Sequence, residues 1–413
     1  MVRSVWVGMV VAGMVLSGCG GGREGGAPPA AAQAVQPFSA MTPAMADWVA
    51  GFRGRALAAG IDANVFDRAF APIGYSAFVV EKDRNQAEFG KTIWDYLDSA
   101  ASDERVANGR AALAQYGSVL AEIEATYGVE KEVVTAIWGL ESAYGTKMGN
   151  VPVIEALATL AYDGRRGAFF ESQLIAALKI IQTGDVDVRA MTGSWAGAMG
   201  HTQFIPTSYQ LFAVDFRGDG KRDIWSADPT DALASTAAYL ARSGWVKGRP
   251  WGVEVRLPAG FNPGLTGKGA RRSGADWAGL GVRDMTGGVV PDHGAAAILL
   301  PAGAEGAAFM VFSNFTAISR YNAADAYVIG VGHLSDRIAG GGPIVAAWPR
   351  DPNQLTFVER QAVQRLLTAR GFDTQGTDGT FGPNSLAAIR AYQISVGLEA
   401  DGRADRGLLA RLR

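Results

Sequence analysis

The sequence predicts a mainly α protein of the α+β class, with a helical body, a small β-containing insertion and a separate helical domain at the C-terminus. Three observations indicate this fold class. Between residues 41 and 248, Ala-rich segments carry apolar residues at helical spacing. Residues 251–257 alternate in the manner of a strand. Residues 353–413 contain two amphipathic segments separated by Asp-Gly turns, which is typical of a small helical domain.

The composition describes an ordinary globular protein and excludes some functional classes. At 413 residues the chain is long enough for two or more domains, and 48% of its residues are hydrophobic. A net charge of -2 does not support a nucleic-acid partner, which usually requires a basic surface. The chain has no P-loop and no Cys/His cluster with zinc spacing. The three histidines, His201, His293 and His333, are scattered along the chain, and we expect them to be structural.

The N-terminus has the features of a secretory signal. Arg3 precedes an apolar run from Val5 to Val15, which is too short to span a membrane comfortably. The segment Leu16–Cys19 resembles the lipobox of bacterial lipoproteins, in which the cysteine becomes the lipidated first residue of the mature protein. Cys19 is the only cysteine in the chain, so a disulfide within the chain is impossible. We therefore expect a signal peptide over residues 1–18; the alternative is an uncleaved anchor with an incidental cysteine.

The segment after Cys19 is rich in glycine, alanine and proline and cannot bury a core. Residues 19–44 are therefore predicted to be a flexible linker behind a lipid anchor. Such a tether places the folded part of the chain outside the cytoplasm, at some distance from a membrane.

Periodicity places the first elements of the body. Helices are predicted over residues 106–127, 167–181 and 230–243, where apolar residues recur at helical spacing. Strands are predicted over residues 251–257 and 307–314, with frequent glycine and turn residues between them.

The rest of the chain returns to helical character. A helix is predicted over residues 323–337, and the Gly- and Pro-rich stretch that follows predicts a linker over residues 341–352. Two further helices are predicted over residues 355–369 and 383–396, the second beginning with a proline that suits the first turn of a helix. A last short helix follows a second Asp-Gly turn.

One carboxylate stands out within the helical body. Glu141 lies at helical spacing from Ile137 and Trp138, on a face that is otherwise apolar. A carboxylate removed from water has a raised pKa, roughly 6 or higher, and can donate a proton to a leaving group near neutral pH. The structural alternatives are a glutamate paired with an arginine, or one at a helix end where it reaches solvent.

Three blocks carry a resemblance to a known family. They are Trp138–Gly145, Gly193–Tyr209 and Arg320–Ala323, and they resemble the lytic murein transglycosylase B family. The C-terminal part is similar to the common peptidoglycan-binding module. The resemblance implies a lysozyme-like catalytic domain over residues 45–340 and a three-helix peptidoglycan-binding domain over residues 353–413.

The resemblance also implies a reaction. Glu141 would protonate the oxygen between N-acetylmuramic acid (MurNAc) and the following N-acetylglucosamine (GlcNAc), then accept a proton from the muramoyl C6 hydroxyl. The product would be a 1,6-anhydromuramoyl end, formed with one carboxylate where most glycosidases use two. Two alternatives stay open: a hydrolytic muramidase of the same fold, and a non-catalytic wall-binding lipoprotein.

Eight further residues match groove positions of the family. They would bind the sugars through hydroxyl, amide and aromatic groups, and they are Tyr96, Phe169, Ser194, Met199, Gln203, Tyr321, Asn322 and Tyr327. The assignment of Tyr96 depends on spacing alone. Taken without the family, the Gly-rich block from Ser194 to Tyr209 would instead predict a tight turn that packs helices.

The stretch Asp215–Asp223 resembles the start of an EF-hand loop. The family can carry a calcium loop here, with Asp215 and Asp219 as ligands and Asp231 as the closing carboxylate. Arg217 departs from the pattern, because it replaces an oxygen ligand with a cation. The alternatives are a structural Ca²⁺ site and an Asp-Gly turn that holds its shape without metal. Catalysis itself is expected to require no cofactor.

The expected partners follow from these features. They are the glycan strands of peptidoglycan, bound by the catalytic domain and concentrated by the C-terminal module, and a membrane, held through the N-terminal lipid. Gly20 follows the cysteine in place of the aspartate that retains many lipoproteins in the inner membrane. The expected location is the periplasmic side of the envelope, on the outer membrane.

Overall fold

The computed structural model describes residues 39–84, 92–350, 354–379 and 381–413. The predicted signal peptide, Cys19 and most of the predicted N-terminal linker lie outside these residues. No helix among the described residues has the length and apolar character needed to cross a bilayer.

The body is built from helices in two groups around a small sheet. Its helices are α1 Pro43–Ala58, α2 Ala63–Phe70, α3 Ala77–Arg84, α4 Ile93–Ala100, α5 Asp103–Tyr127, α6 Lys131–Ser142, α7 Val153–Asp163, α8 Gly167–Thr183, α9 Pro206–Phe212, α10 Thr230–Arg242, α11 Gly274–Gly279, α12 Ser313–Tyr321 and α13 Asp325–Ile338. The C-terminal module contains α14 Phe357–Ala369, α15 Pro383–Ser395 and α16 Arg406–Leu412. The predicted helices are confirmed, with ends that differ by no more than a few residues.

The strands form two antiparallel sheets. They are β1 Val151–Pro152, β2 Thr192–Gly193, β3 Gly252–Arg256, β4 Arg283–Asp284, β5 Ala297–Leu299 and β6 Ala308–Val311. β1 pairs with β2, and the larger sheet has the order β4-β3-β6-β5. The two predicted strands are its central pair, with Gly252 opposite Val311. β6 is shorter than predicted because the chain turns into α12 at Ser313.

Three hydrophobic cores lie in the described part of the body; one, around Trp277, belongs to the β-containing insertion, and the other two are formed mainly by helices. One of these two contains residues of α1, α2, α7 and α8, with Phe52 and Leu157 fully buried. The other contains residues of α4, α5, α6, α10 and α13, with Leu120 and Ile329 fully buried. Tyr321, at the end of α12, packs against both cores. The place where the two cores meet is therefore where side chains from distant parts of the sequence come together.

Local signals set the ends of the central helices. The Ser102 hydroxyl accepts the amide of Arg105 at the start of α5, and Gly128 ends that helix in the left-handed conformation. α6 ends at Ala143 and Tyr144, two non-glycine residues with positive φ angles of 48° and 58°. Positive φ is strained for side chains of this kind, so the chain reversal after α6 is held by its surroundings.

The predicted linker packs on the body over its described part, residues 341–350. The amides of Val345 and Ala346 donate to the carboxylate of Glu254 on β3, at 2.8 and 2.7 Å. The indole of Trp348 lies 6.3 Å from that of Trp94 on α4. This segment therefore follows a defined path across the body, although its composition is typical of a flexible spacer.

Candidate active site

Glu141 lies in the last turn of α6 and is 6% exposed. The hydroxyl of Tyr327, on α13, donates a hydrogen bond of 2.6 Å to its Oε1 atom. Burial raises the pKa of Glu141 to about 7, and the Tyr327 hydrogen bond opposes part of that rise. The carboxyl group is thus protonated in a substantial share of molecules near neutral pH. Neither structural alternative applies within the described part of the chain, because Glu141 forms no ion pair there and the end of its helix is buried.

The end of α6 is fixed by contacts with His201. The indole of Trp138 donates to Nδ1 of His201 at 3.1 Å, and the hydroxyl of Ser142 donates to the His201 carbonyl at 2.5 Å. The other ring nitrogen lies 2.7 Å from the carbonyl of Ser226. Gly145 passes so close that a Cβ atom there would lie 2.5 Å from this imidazole. His201 is therefore structural, as predicted, and holds the turn after Glu141 in place.

Glu141 opens into a cavity of about 260 Å³. The lining residues come from α6, α8, α9, α10, α12 and the segment before α9, and they are Glu141, Phe169, Gln203, Phe204, Ile205, Thr207, Ser208, Tyr239, Arg320, Tyr321 and Asn322. Among the residues that the structure describes, Glu141 is the only carboxylate in this lining. Aromatic faces beside hydroxyl and amide groups suit a sugar ring, which has apolar faces and polar edges.

The segment from Gly193 to Gln203 leads to the cavity, which it lines through Gln203. Gly149 allows a close approach, since a Cβ atom there would lie 2.2 Å from the Gly193 carbonyl oxygen. The hydroxyl of Ser194 accepts the amides of Ala196 and Ala198 at 3.3 and 3.0 Å. These contacts form a tight turn around Ser194.

Gln203 and Tyr321 are held by backbone groups. Gln203 has a positive φ of 54°, and its side-chain amide donates to the carbonyls of Met148 and Gly200 at 2.9 and 2.8 Å. The hydroxyl of Tyr321 donates to the carbonyl of Thr202. These contacts orient both side chains before any ligand binds.

Comparisons with known proteins agree with this geometry. Residues 44–336 match the family model described as transglycosylase SLT domain, and residues 358–412 match the putative peptidoglycan binding domain. The chain belongs to the lytic transglycosylase family. Its members are enzymes that act on peptidoglycan, and its C-terminal module belongs to the peptidoglycan-binding domains. The family resemblance, the lysozyme-like helical core and the C-terminal domain predicted from sequence are confirmed.

Individual relatives extend the match along the chain. The membrane-bound lytic murein transglycosylase B of Escherichia coli is 34% identical over 247 residues, which cover 59% of this chain and 66% of that protein. The crystal structure of SltB3 from Pseudomonas aeruginosa in complex with NAG-anhNAM-pentapeptide is 51% identical, with a TM-score of 0.73, and covers 90% of this chain and all of that one. Escherichia coli Slt35 in complex with calcium is 29% identical, with a TM-score of 0.62, over 73% of this chain and 96% of its own.

The residues predicted for the transglycosylase groove occupy three kinds of position. Phe169, Gln203, Tyr321 and Asn322 line the cavity with Glu141. Tyr327 reaches Glu141 directly. The other three predicted residues lie outside the cavity lining, and they are Tyr96 on α4, Ser194 in its tight turn and the fully buried Met199. Their assignment to substrate binding stays a prediction.

Several lining residues of the transglycosylase were missed in the sequence. Phe204, Ile205, Thr207 and Ser208 directly follow Gln203, so the family block already contained the signal for them. Arg320 likewise begins the third family block, whereas Tyr239 lies in none of the blocks and had no such signal. Tyr239 lies in an Ala-rich helix, and its hydroxyl donates to the carbonyl of Arg320, 81 residues away.

The loop of the transglycosylase considered for calcium is held together by hydrogen bonds from its own backbone amides. The carboxylate of Asp215 accepts the amides of Gly218, Asp219 and Gly220, which lowers its pKa, chiefly through Gly220. Arg217 turns outward and pairs with Glu122 at 2.6 Å.

The closing carboxylate of this loop is also occupied. Asp231 accepts the amides of Phe216 and Asp223, both at 2.9 Å. Within the described parts of the chain, no group of three or more acidic, histidine or cysteine side chains is placed to share a metal ion. Backbone amides thus occupy the carboxylates of both Asp215 and Asp231, and the calcium site considered for Asp215, Asp219 and Asp231 stays a prediction.

Proposed function

We propose that this chain cleaves the β1,4 bond between MurNAc and GlcNAc in peptidoglycan and leaves a 1,6-anhydromuramoyl end, with Glu141 acting first as acid and then as base. One observation carries the proposal: among the described residues, a single carboxylate lines the cavity, and it is buried with a pKa raised to about 7. Two-carboxylate glycosidases instead place a second acidic group roughly 5–9 Å from the first.

The first step uses the protonated form of Glu141. The carboxylic acid transfers its proton to the glycosidic oxygen as the bond from C1 of MurNAc to O4 of GlcNAc breaks. An oxocarbenium-like centre develops at C1, and Glu141 becomes a carboxylate. Its hydrogen bond from Tyr327 stabilises that charge and keeps the carboxylate in one orientation.

The second step restores the acid without water. The C6 hydroxyl of the same MurNAc gives its proton to Glu141 and attacks C1. The new bond from O6 to C1 closes the 1,6-anhydro ring. Bond breaking and bond formation then balance, and one carboxylate serves both proton transfers. Burial of Glu141 at 6% exposure supports this intramolecular route, because it limits access of a competing water molecule.

The relatives support the same substrate. SltB3 was solved in complex with NAG-NAM-pentapeptide as well as with NAG-anhNAM-pentapeptide. These fragments differ in the anhydro ring that the proposed reaction would form. The aromatic and amide groups that line the cavity of this chain suit the same sugars.

Mass spectrometry of the products from purified sacculi tests the reaction. We expect soluble protein lacking residues 1–19 to release anhydromuropeptides, and Glu141→Gln to release none. Glu155→Gln is the matched control, because Glu155 is an equally buried glutamate outside the cavity lining. Products heavier by one water would establish a hydrolytic muramidase. Sacculus binding without release by the parent protein would establish a non-catalytic wall-binding lipoprotein.

We infer that Cys19 is lipidated and anchors the enzyme on the periplasmic side of the envelope, at the outer membrane. The lipobox-like segment and the Gly- and Pro-rich linker support this, as does the membrane-bound character named for the Escherichia coli relative. Cys19→Ala should release the protein from the membrane fraction and abolish acyl labelling. Membrane retention of that variant would refute the anchor.

We also infer that the loop over residues 215–231 keeps its shape without calcium. The backbone hydrogen bonds to Asp215 and Asp231 support this, together with the outward position of Arg217. Thermal unfolding should show the same Tm in excess EDTA and in millimolar calcium, because a ligand that binds only the folded state raises Tm. A rise in Tm with calcium would contradict this inference and show that the folded protein binds the metal.

A further inference from the structure

Helix α4 lies between the C-terminal module and the catalytic residues. On the module side, Nη1 of Arg360 on α14 donates to Asp95 at 2.9 Å, and Arg350 of the linker pairs with Asp98 at 2.7 Å through both oxygens. The side chains of Arg360 and Asp95 are 16% and 11% exposed. Ion pairs that are this well shielded depend strongly on geometry, so they specify one position for the module.

Arg360 and Asp95 are each held in place by other contacts within their own part of the protein. Arg360 also donates to the carbonyls of Gly379 and Leu355, so its guanidinium is part of the module's own structure. Asp95 accepts the hydroxyl of Thr92, the N-cap residue of α4, at 2.8 Å. The contact therefore joins two rigid elements, where a surface pair of long side chains would contribute little.

The opposite face of α4 packs against α13, which carries Tyr327. A Cβ atom on Gly330 would lie 2.9 Å from Cε1 of Tyr96 and 3.2 Å from the Cβ of Ala100, so the two helices are in close contact. Gly330 is one helical turn after Tyr327. Burial and the neighbouring carboxylate of Glu141 raise the pKa of Tyr327.

A second route runs from α4 to the helix of the catalytic acid. The half-buried side chain of Arg105 donates to the carbonyl of Ser99 in the last turn of α4, at 3.3 Å, and to that of Gly139 in α6, at 2.5 Å. Gly139 lies two residues before Glu141. Movement of α4 would therefore be transmitted both to Glu141 and to the hydroxyl that orients it.

We propose that docking of the C-terminal module on α4 positions Glu141 for catalysis, with Asp95 and Arg360 as positioning residues. The inference rests on the proposed role of Glu141 as the catalytic acid. The module then has two effects that are separable by experiment. It binds the polymer, and it also holds the acid and Tyr327 in their working geometry, even for a substrate too short to reach the module.

The test measures kcat and KM of the full chain on a soluble (GlcNAc-MurNAc)₂ tetrasaccharide, beside binding to sacculi. We expect Asp95→Asn and Arg360→Gln each to lower kcat on the order of tenfold, with KM and sacculus binding unchanged, since displacement of a catalytic group by less than 1 Å has effects of this size. Arg406→Gln is the matched control, because it removes another module guanidinium from an ion pair, with Glu359, that does not reach α4.

Three outcomes separate the possibilities. Unchanged kcat in both variants would overturn the proposal and leave the module as a binding device alone. A loss with Arg360→Gln but not with Asp95→Asn would trace the effect to damage within the module, and would also overturn it. Failure of the proposed function is recognised separately, because Glu141→Gln would then keep its activity or the parent would form no anhydro ends.

Discussion

Two buried glutamates lie on consecutive helices of the catalytic domain, and only one is placed for chemistry. Glu141 lies in the last turn of α6 and Glu155 in the first turn of α7; each is 6% exposed, and burial raises the pKa of each to about 7. Glu141 lines the cavity, whereas Glu155 accepts the amide of Gly74 at 2.8 Å within the protein. A raised pKa marks removal from water, and access to a cavity is what turns it into a catalytic property.

The largest difference between the two should be in activity. Glu141→Gln keeps the shape of the side chain but removes the proton donor, so release of anhydromuropeptides should fall on the order of 10²–10⁴-fold. Glu155→Gln should retain activity close to that of the parent, because its carboxyl group contacts Gly74 rather than the cavity. Equal losses in the two variants would refute the distinction between the sites.

The two glutamates also differ in their hydrogen-bond donors. Glu141 accepts the hydroxyl of Tyr327, whereas Glu155 accepts a backbone amide. Tyr327→Phe should lower the rate on the order of 10- to 100-fold, because the acid loses its orientation. The hydrogen bond also lowers the pKa of Glu141, so its removal should move the alkaline limb of the pH-rate profile to higher pH. Tyr209→Phe is the control, because that buried hydroxyl bonds the Arg222 carbonyl. An unshifted limb would contradict the role of the hydrogen bond.

In contrast to activity, the free energy of unfolding should respond in the same way to replacement of either glutamate. For each, the folded-state pKa of about 7 exceeds the ordinary value of 4.5, so the carboxyl favours the fold below pH 4.5 and that contribution is lost as pH rises towards 7. Either glutamine variant avoids this loss. At pH 8 each should gain up to ~3 kcal/mol over the parent in the free energy of unfolding, and the gain should vanish near pH 4.

Urea unfolding at the two pH values measures this effect. A gain for Glu141→Gln alone would mean that the pKa of Glu155 is not raised as its burial implies. In that case the two carboxyl groups would already differ in the folded protein before any substrate binds.

The role of Glu141 could be predicted from the sequence, and the structural role of Glu155 could not. Glu141 could be found because Ile137 and Trp138 place it on an apolar helical face, and its family block names its role. The partner Tyr327 is 186 residues away, so only the resemblance pointed to it. Glu155 follows Val153 and Ile154 in an equally apolar stretch, but its Gly74 partner has no sequence pattern.

The limits of sequence reasoning elsewhere in the molecule have the same physical origin. The six helices for which bounds were predicted and the two central strands follow from local periodicity, and their predicted ends had small errors. The strands β4 and β5 were missed because they are only two and three residues long. The segment over residues 341–352 was predicted to be a linker from its glycines and prolines, and its contact with Glu254, about 90 residues away in sequence, could not be predicted from that composition. Long-range contacts of this kind build the cavity as well, where Tyr239 and Arg320 were missed.

The smallest predicted effect tests what Glu155 does in place of catalysis. Its carboxyl group satisfies the buried amide of Gly74, in a segment where the amide of Ser76 also donates to Thr159 of α7. Glu155→Gln keeps an acceptor for that amide, whereas Glu155→Ala leaves it unpaired. At pH 5 we therefore expect the alanine variant to be less stable than the glutamine variant by about 1–3 kcal/mol in urea unfolding. Both should keep the activity of the parent per folded molecule, since the contact fastens the segment around Gly74 to α7 and does not reach the cavity. Equal stability of the two variants would mean that another group satisfies the Gly74 amide, and that the buried carboxyl group of Glu155 has no structural purpose at this site.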